Sequence, residues 1–144
     1  MADFNSKYSG EQVEQLLDQV ASGGSGNTKT PMEFVTPAAV IPVPMNIAKV
    51  LTSVTSTTQT FVLATGSATN NPANITQEQK WEIVFGINKS LTTAPTIIFN
   101  TGNIGTIYWV NGVAPTFEVG KFYEVSFLNA GGVFLGFCTS FSAA

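Results

Sequence analysis

The chain has 144 residues and a formal net charge of −3, which suits one domain of ordinary size plus an extension. Only 10% of its residues are charged, against about a quarter in typical soluble domains. All six basic residues are lysines and there is no histidine, so the bidentate phosphate fork of arginine is missing, nucleic-acid binding is not expected, and the usual zinc sites and Ser-His-Asp relays are excluded.

The first element in chain order is a short amphipathic helix over Ser9 to Ala21. Ser9 can cap the free N–H groups of the first turn, Gln12 can reach back as its capping-box partner, and Tyr8 and Val13 occupy the staple positions. Glu11 and Glu14 put negative charge near the start, where the helix dipole favours it. Val13, Leu16, Leu17 and Val20 follow the i, i+3, i+4, i+7 spacing and form one apolar stripe. The stripe is too short for a free-standing coiled coil and the helix too short to persist alone in water, so it needs a partner.

Ser22-Gly23-Gly24-Ser25-Gly26-Asn27 follows, a composition that behaves as flexible coil. The glycines follow no strand and precede no helix, so they are a linker rather than a phosphate loop. Residues 1–30 therefore read as an anchoring arm, helix 9–21 plus linker 22–30, and residues 31–144 as a β-rich domain. Docking on another protein or on sister helices is the preferred fate of the arm. Through Glu33 the chain has five acidic residues against two lysines; beyond it Glu78, Glu82, Glu118 and Glu124 balance Lys49, Lys80, Lys89 and Lys121. A formally neutral body with so little charge is expected to self-associate, because charge is depleted at interface cores. No secretory signal and no apolar run near the roughly 20 residues of a membrane helix is legible, so membrane insertion is not expected.

The body opens with Pro37, Pro42 and Pro44, which forbid a long helix and predict extended chain or edge strand, with a short helical turn near Asn46 to Leu51. Thr60 to Leu63 reads as a strand and Gly66 to Asn74 as a polar loop. Trp81, Ile83, Phe85 and Ile87 alternate as one face of a half-buried strand. Thr96 to Phe99 and Thr106 to Val110 are further strands, the second closed by Asn111-Gly112, a hairpin or turn signal. A final hairpin sets Tyr123, Val125 and Phe127 against Val133, Leu135, Phe137, Thr139 and Phe141 across Asn129 to Gly132. Short strands at this spacing predict an all-β fold, a β-sandwich or a jelly-roll-like barrel.

Chemistry-bearing residues are sparse. Cys138 is the one cysteine and reads as a buried thiol or a strand neighbour. Asp3 and Asp18 are the only aspartates, too few for an EF-hand loop. Glu118 and Glu124 are the one carboxylate pair that a glycosidase could use, although glutamates on strands are usually solvated. No enzymatic activity and no cofactor is expected. Tyr108 and Trp109 are adjacent, so they point to opposite faces of their strand. One of them is left outside the core, for a subunit contact or for stacking on a glycan.

Two stretches carry a resemblance. Lys7-Tyr8-Ser9-Gly10-Glu11-Gln12-Val13-Glu14-Gln15-Leu16-Leu17-Asp18 resembles the N-terminal segment of virion appendage proteins, head fibres and tail fibres, of phages infecting Bacteroidetes, including crAss-like phages. Ile107 to Pro115, then Phe122 to Phe127 and Val133 to Phe141, is similar to a β module that ends many phage fibres. The resemblance implies a structural virion protein made in the host cytoplasm. Its N-terminus, through Tyr8, Val13, Leu16, Leu17 and Val20, attaches to the capsid or another virion protein, and its β domain projects, commonly as a homotrimer. The short linker favours a capsid-attached head fibre or decoration protein, with a tail-fibre or adhesin module that binds host glycan as the alternative.

Overall fold

The computed structural model describes residues 31–64, 77–102 and 105–144. The expected helix 9–21, the linker 22–30 and the polar loop at Gly66 to Asn74 lie outside the described residues. Nine strands are described: β1 (Met32–Phe34), β2 (Val40–Pro42), β3 (Lys49–Val54), β4 (Thr58–Val62), β5 (Lys80–Ile87), β6 (Thr96–Asn100), β7 (Thr106–Trp109), β8 (Phe122–Asn129) and β9 (Val133–Phe141). They form a six-stranded sheet in the order β1-β3-β5-β8-β9-β7 and a three-stranded sheet in the order β2-β4-β6. The fold is β-rich, with a single 3-10 turn at Val110–Gly112 as the helical element among the described residues.

From β1 to β6 the chain alternates between the two sheets, so each strand's partner is the next strand but one. A parallel pair needs a crossover connection, which in most proteins is a helix. Here a strand of the opposite sheet makes it: β2 links β1 to β3, and β3 links β2 to β4. Among the described residues, five of the seven strand pairings are parallel, and only β5–β8 and β8–β9 are antiparallel. The jelly-roll-like alternative is corrected by this pattern, because jelly rolls are built from antiparallel Greek keys. Nothing in the spacing of apolar residues distinguishes the two directions.

Alternation along each strand decides which residues meet between the sheets. Trp81, Ile83, Phe85 and Ile87 of β5 are buried as their period predicts, as are Val50 and Val54 of β3 and Tyr123, Val125 and Phe127 of β8. Ile41 and Phe61 answer from the smaller sheet. Ring centroids of Phe61 and Phe85 lie 5.3 Å apart, and those of Phe99 and Phe127 lie 4.9 Å apart, so aromatic pairs join the layers. Each such side chain contributes about 1.5 to 3 kcal/mol through burial. Phe117, on the segment before β8, packs edge-on against Tyr123 at 4.9 Å, and the Glu118 backbone N–H donates to Tyr123 Oη at 2.6 Å.

Three local expectations are corrected. The helical turn expected over Asn46 to Leu51 does not form: residues 45–47 make a plain turn, and Lys49 already begins β3. Asn46 has φ +60°, which ends any right-handed course. Its amide donates to Glu78 O while Oδ1 accepts from Lys80 N at 2.7 Å, so the turn is tied to the start of β5. Asn111-Gly112 does form a turn, with φ +57° and +70°, but no hairpin follows, because β7 pairs in parallel with β9. The last hairpin forms as expected, yet β9 is turned over. Asn129 pairs with Phe134 and Ala130 N donates to Val133 O at 2.8 Å, leaving Gly131-Gly132, both at positive φ, as a two-residue turn. That register puts Phe134, Gly136 and Cys138 on the inner side and Val133, Leu135, Phe137 and Phe141 on the outer side.

Candidate functional site

The outer face of the six-stranded sheet collects apolar side chains that the inner face does not use. The residues of β8 and β9 that alternate with the core are Phe122, Glu124, Ser126 and Leu128, and Val133, Leu135, Phe137, Thr139 and Phe141. Leu135 stands between Leu128 of β8 and Tyr108 of β7, and Phe137 stands opposite Ser126. Directly opposed side chains are about 4.5 to 5.5 Å apart at Cβ, so Tyr108, Leu135, Leu128 and Phe137 make one continuous apolar surface at this end of the sheet. Tyr108 is 57% exposed and Phe137 48%. A shallow groove of about 200 Å³ runs along Tyr108, Val110, Leu135 and Phe137.

The centre of the same face carries charge. Lys49 Nζ reaches Glu124 at 2.6 Å and Glu82 at 3.3 Å, bridging β3, β5 and β8. The hydrogen bond that Lys49 Nζ donates to Glu124 raises the pKa of the ammonium above the usual lysine range against partial desolvation, with Glu82 adding to it. At the far end, where β5 leaves the sheet and β8 enters it, a second depression of about 330 Å³ is lined by Ser53, Gly86, Asn88, Lys89, Gly120 and Phe122. Leu128 and Phe122 are the two ends of the outer row of β8, about 20 Å apart at the strand rise of about 3.3 Å per residue.

Tyr108 and Trp109 are separated as their adjacency implies. Tyr108 lies on the outer face, whereas Trp109 turns inward, with its ring 5.5 Å from Phe127 and 5.9 Å from Phe99. Glu118 and Glu124 each engage a different lysine: Glu118 pairs with Lys121, and Glu124 with Lys49. Cys138 is half-buried on the inner side of β9, and burial pushes its thiol up from the ordinary range. Among the described residues no three His, Cys, Asp or Glu side chains group as metal ligands, and no helix is long and apolar enough to cross a membrane. Tyr8, Val13, Leu16, Leu17 and Val20 lie outside the described residues.

Comparison with family models, curated proteins and solved structures finds no match to this chain. Its functional reading therefore rests on its own residues. The alternation of β9 sets Leu135 and Phe137 on the same face as Tyr123, Val125 and Phe127, whereas the observed register puts them on the opposite, outer face. The signal that could have placed them is the Gly-Gly pair at the turn, since a two-residue turn fixes the register and hence the face. Lys89 and Phe122 carried no motif, because the loop and the strand end that bring them together are distant in sequence.

Proposed function

We propose that this chain is a structural virion protein, a capsid-attached head fibre or decoration protein, that docks through its N-terminal helix and projects an oligomeric β domain. In this reading the body is a two-layer β-sandwich. The observation that carries the reading is the apolar end of the outer face, Tyr108, Leu128, Leu135 and Phe137. A surface of that kind is suited to self-association rather than to solvent. The resemblance of Lys7 to Asp18 and of the β7 to β9 region to phage appendages supplies the setting, and a trimer is the favoured assembly. The test is deletion of residues 1–22 in an infecting phage. Particles should lose the protein while the truncated chain stays folded and oligomeric; normal incorporation would sink the reading.

A second reading, an adhesin module for host glycan, is favoured by one observation, the 57% exposure of the Tyr108 ring. A tyrosine ring presents a flat apolar face with a polar tip. In that case Tyr108→Ala abolishes glycan binding and leaves the oligomer intact, whereas self-association predicts the reverse. Trp109→Ala does not serve here, since Trp109 packs inside against Phe99 and Phe127.

A further inference from the structure

The depression at the other end of the sheet combines features that the self-association surface does not explain. Phe122 is 57% exposed, and its ring lies over Gly86: a Cβ at residue 86 would stand 2.7 Å from Phe122 Cε1. The absence of a side chain at Gly86 thus seats an aromatic ring at the edge of a recess. Polar groups surround it. Ser53 is exposed on β3 beside Gly86. The Asn88 Oδ1 accepts from Ser90 N at 2.8 Å, which fixes the amide and leaves its N–H groups as the donors it offers. The Lys89 stem packs near Gly120, whose φ of +83° admits a close turn there.

Lys89 is also the one described lysine without a carboxylate in ion-pair reach among the described residues, since Lys49, Lys80 and Lys121 are all paired. A cation left over, an amide donor, a hydroxyl and an aromatic ring around about 330 Å³ match the size and make-up of a small-ligand pocket: apolar lining with a few orienting polar groups. We propose that this recess binds a single acidic sugar unit, a hexuronic or nonulosonic acid. The apolar side of the sugar ring stacks on Phe122, its carboxylate accepts from Lys89, and its hydroxyls meet Asn88 and Ser53. The ring face is electron-rich and suits sugar C–H groups, and the lysine–carboxylate hydrogen bond is of the stronger, charge-assisted kind. A neutral sugar lacks the carboxylate, and a simple carboxylate lacks the stacking face. This proposal does not depend on attachment to a virion, and it concerns the opposite end of the sheet from Tyr108.

The test is a titration of the full chain with N-acetylneuraminic acid and with glucuronic acid, followed by amide resonances. Shifts should cluster at Gly86 to Lys89 and Gly120 to Phe122 and saturate in the millimolar range. Lys89→Gln, an exposed replacement, should weaken binding about tenfold, the scale of one charged hydrogen bond. Phe122→Leu, which keeps an apolar cover over Gly86, should remove the stacking and weaken binding similarly. Absence of clustered shifts with either acid overturns the proposal. So does equal binding of acetate, which marks a plain anion site, or unchanged affinity in both variants.

Discussion

Trp109 of β7 stands opposite Gly136 of β9, and its indole occupies the space that a side chain at residue 136 would need, with Cε3 2.6 Å from the Cβ position. The same device occurs at Phe122 and Gly86, where the distance is 2.7 Å. The two pairs differ in what holds the ring. Trp109 is wedged by Phe99 and Phe127, whereas Phe122 is mostly exposed and can swing away. Gly136→Ala should therefore destabilise by about 1 to 3 kcal/mol, the range for overpacking a filled core. Gly86→Ala should cost less than about 1 kcal/mol, since an exposed side chain can change rotamer at that scale. Urea unfolding of both variants checks the order, and equal losses would contradict it.

Asn46 separates a backbone effect from a hydrogen-bond effect. Its φ is +60°, and its side chain holds Glu78 O and Lys80 N. Asn46→Gly keeps the conformation and loses both bonds, for about 1 to 2 kcal/mol at the net worth of exposed hydrogen bonds. Asn46→Ala adds the left-handed penalty, about 1 kcal/mol more. Thermal unfolding should rank the wild type above glycine and glycine above alanine.

Lys49 makes stability depend on pH at the alkaline end. Glu124, with Glu82 adding to it, raises its pKa above the usual value, so the folded state holds the proton more tightly than the unfolded chain does. The stabilisation is then complete below the unfolded value near 10.4 and fades as pH rises through the higher folded value. Lys49→Met should cost about 1 kcal/mol at pH 7, given partial exposure of the pair. The difference from wild type should shrink once the pH exceeds the folded pKa. Denaturant curves at neutral pH and above about pH 11 provide the comparison.

Phe137 tests the apolar surface without touching the core. It faces outward opposite Ser126, so at dilutions where both chains are monomeric Phe137→Glu should leave the unfolding free energy within about 0.5 kcal/mol of wild type, as surface changes do. A charge placed on a self-association surface should split the oligomer. Sedimentation of the variant at micromolar concentration reads the outcome, and an unchanged mass removes this face from the assembly.

The half-buried Cys138 should react slowly with a disulfide reagent at pH 8. Burial raises its pKa, so little thiolate is present there, and the rate should climb steeply only above the ordinary thiol range. A fast reaction at pH 7 would show a more accessible Cys138 than the fold implies.

Where alternation is strict the strands were legible. Trp81, Ile83, Phe85 and Ile87 face the core as their spacing implies, and Tyr123, Val125 and Phe127 do so too. On β9 apolar residues occupy both faces, so hydrophobicity selects Leu135 and Phe137 as readily as Phe134, and only the Gly131-Gly132 turn decides. Strand direction was hidden for a different reason. A residue's period records which face is buried and carries nothing about which neighbour lies alongside. The recess at Phe122 was equally hidden, because Ser53, Lys89 and Gly120 meet only once β3, β5 and β8 are laid side by side. The exposure of one member of the Tyr108–Trp109 pair, by contrast, follows from adjacency alone.

The alternation of β1 to β6 between sheets bears on the order in which the molecule can form. Among these strands no two consecutive ones are hydrogen-bonded to each other, so every pairing must close a long loop before it yields a contact. The β8–β9 hairpin is the one sequence-adjacent pairing among the described strands, and such hairpins form in microseconds. It also supplies Tyr123, Phe127 and Phe134 to the interior and lies between β5 and β7. A chain emerging from the ribosome would hold β1 to β6 without the hairpin that completes their layer. Assembly of the body thus awaits its C-terminal strands, and refolding should be slow and all-or-none.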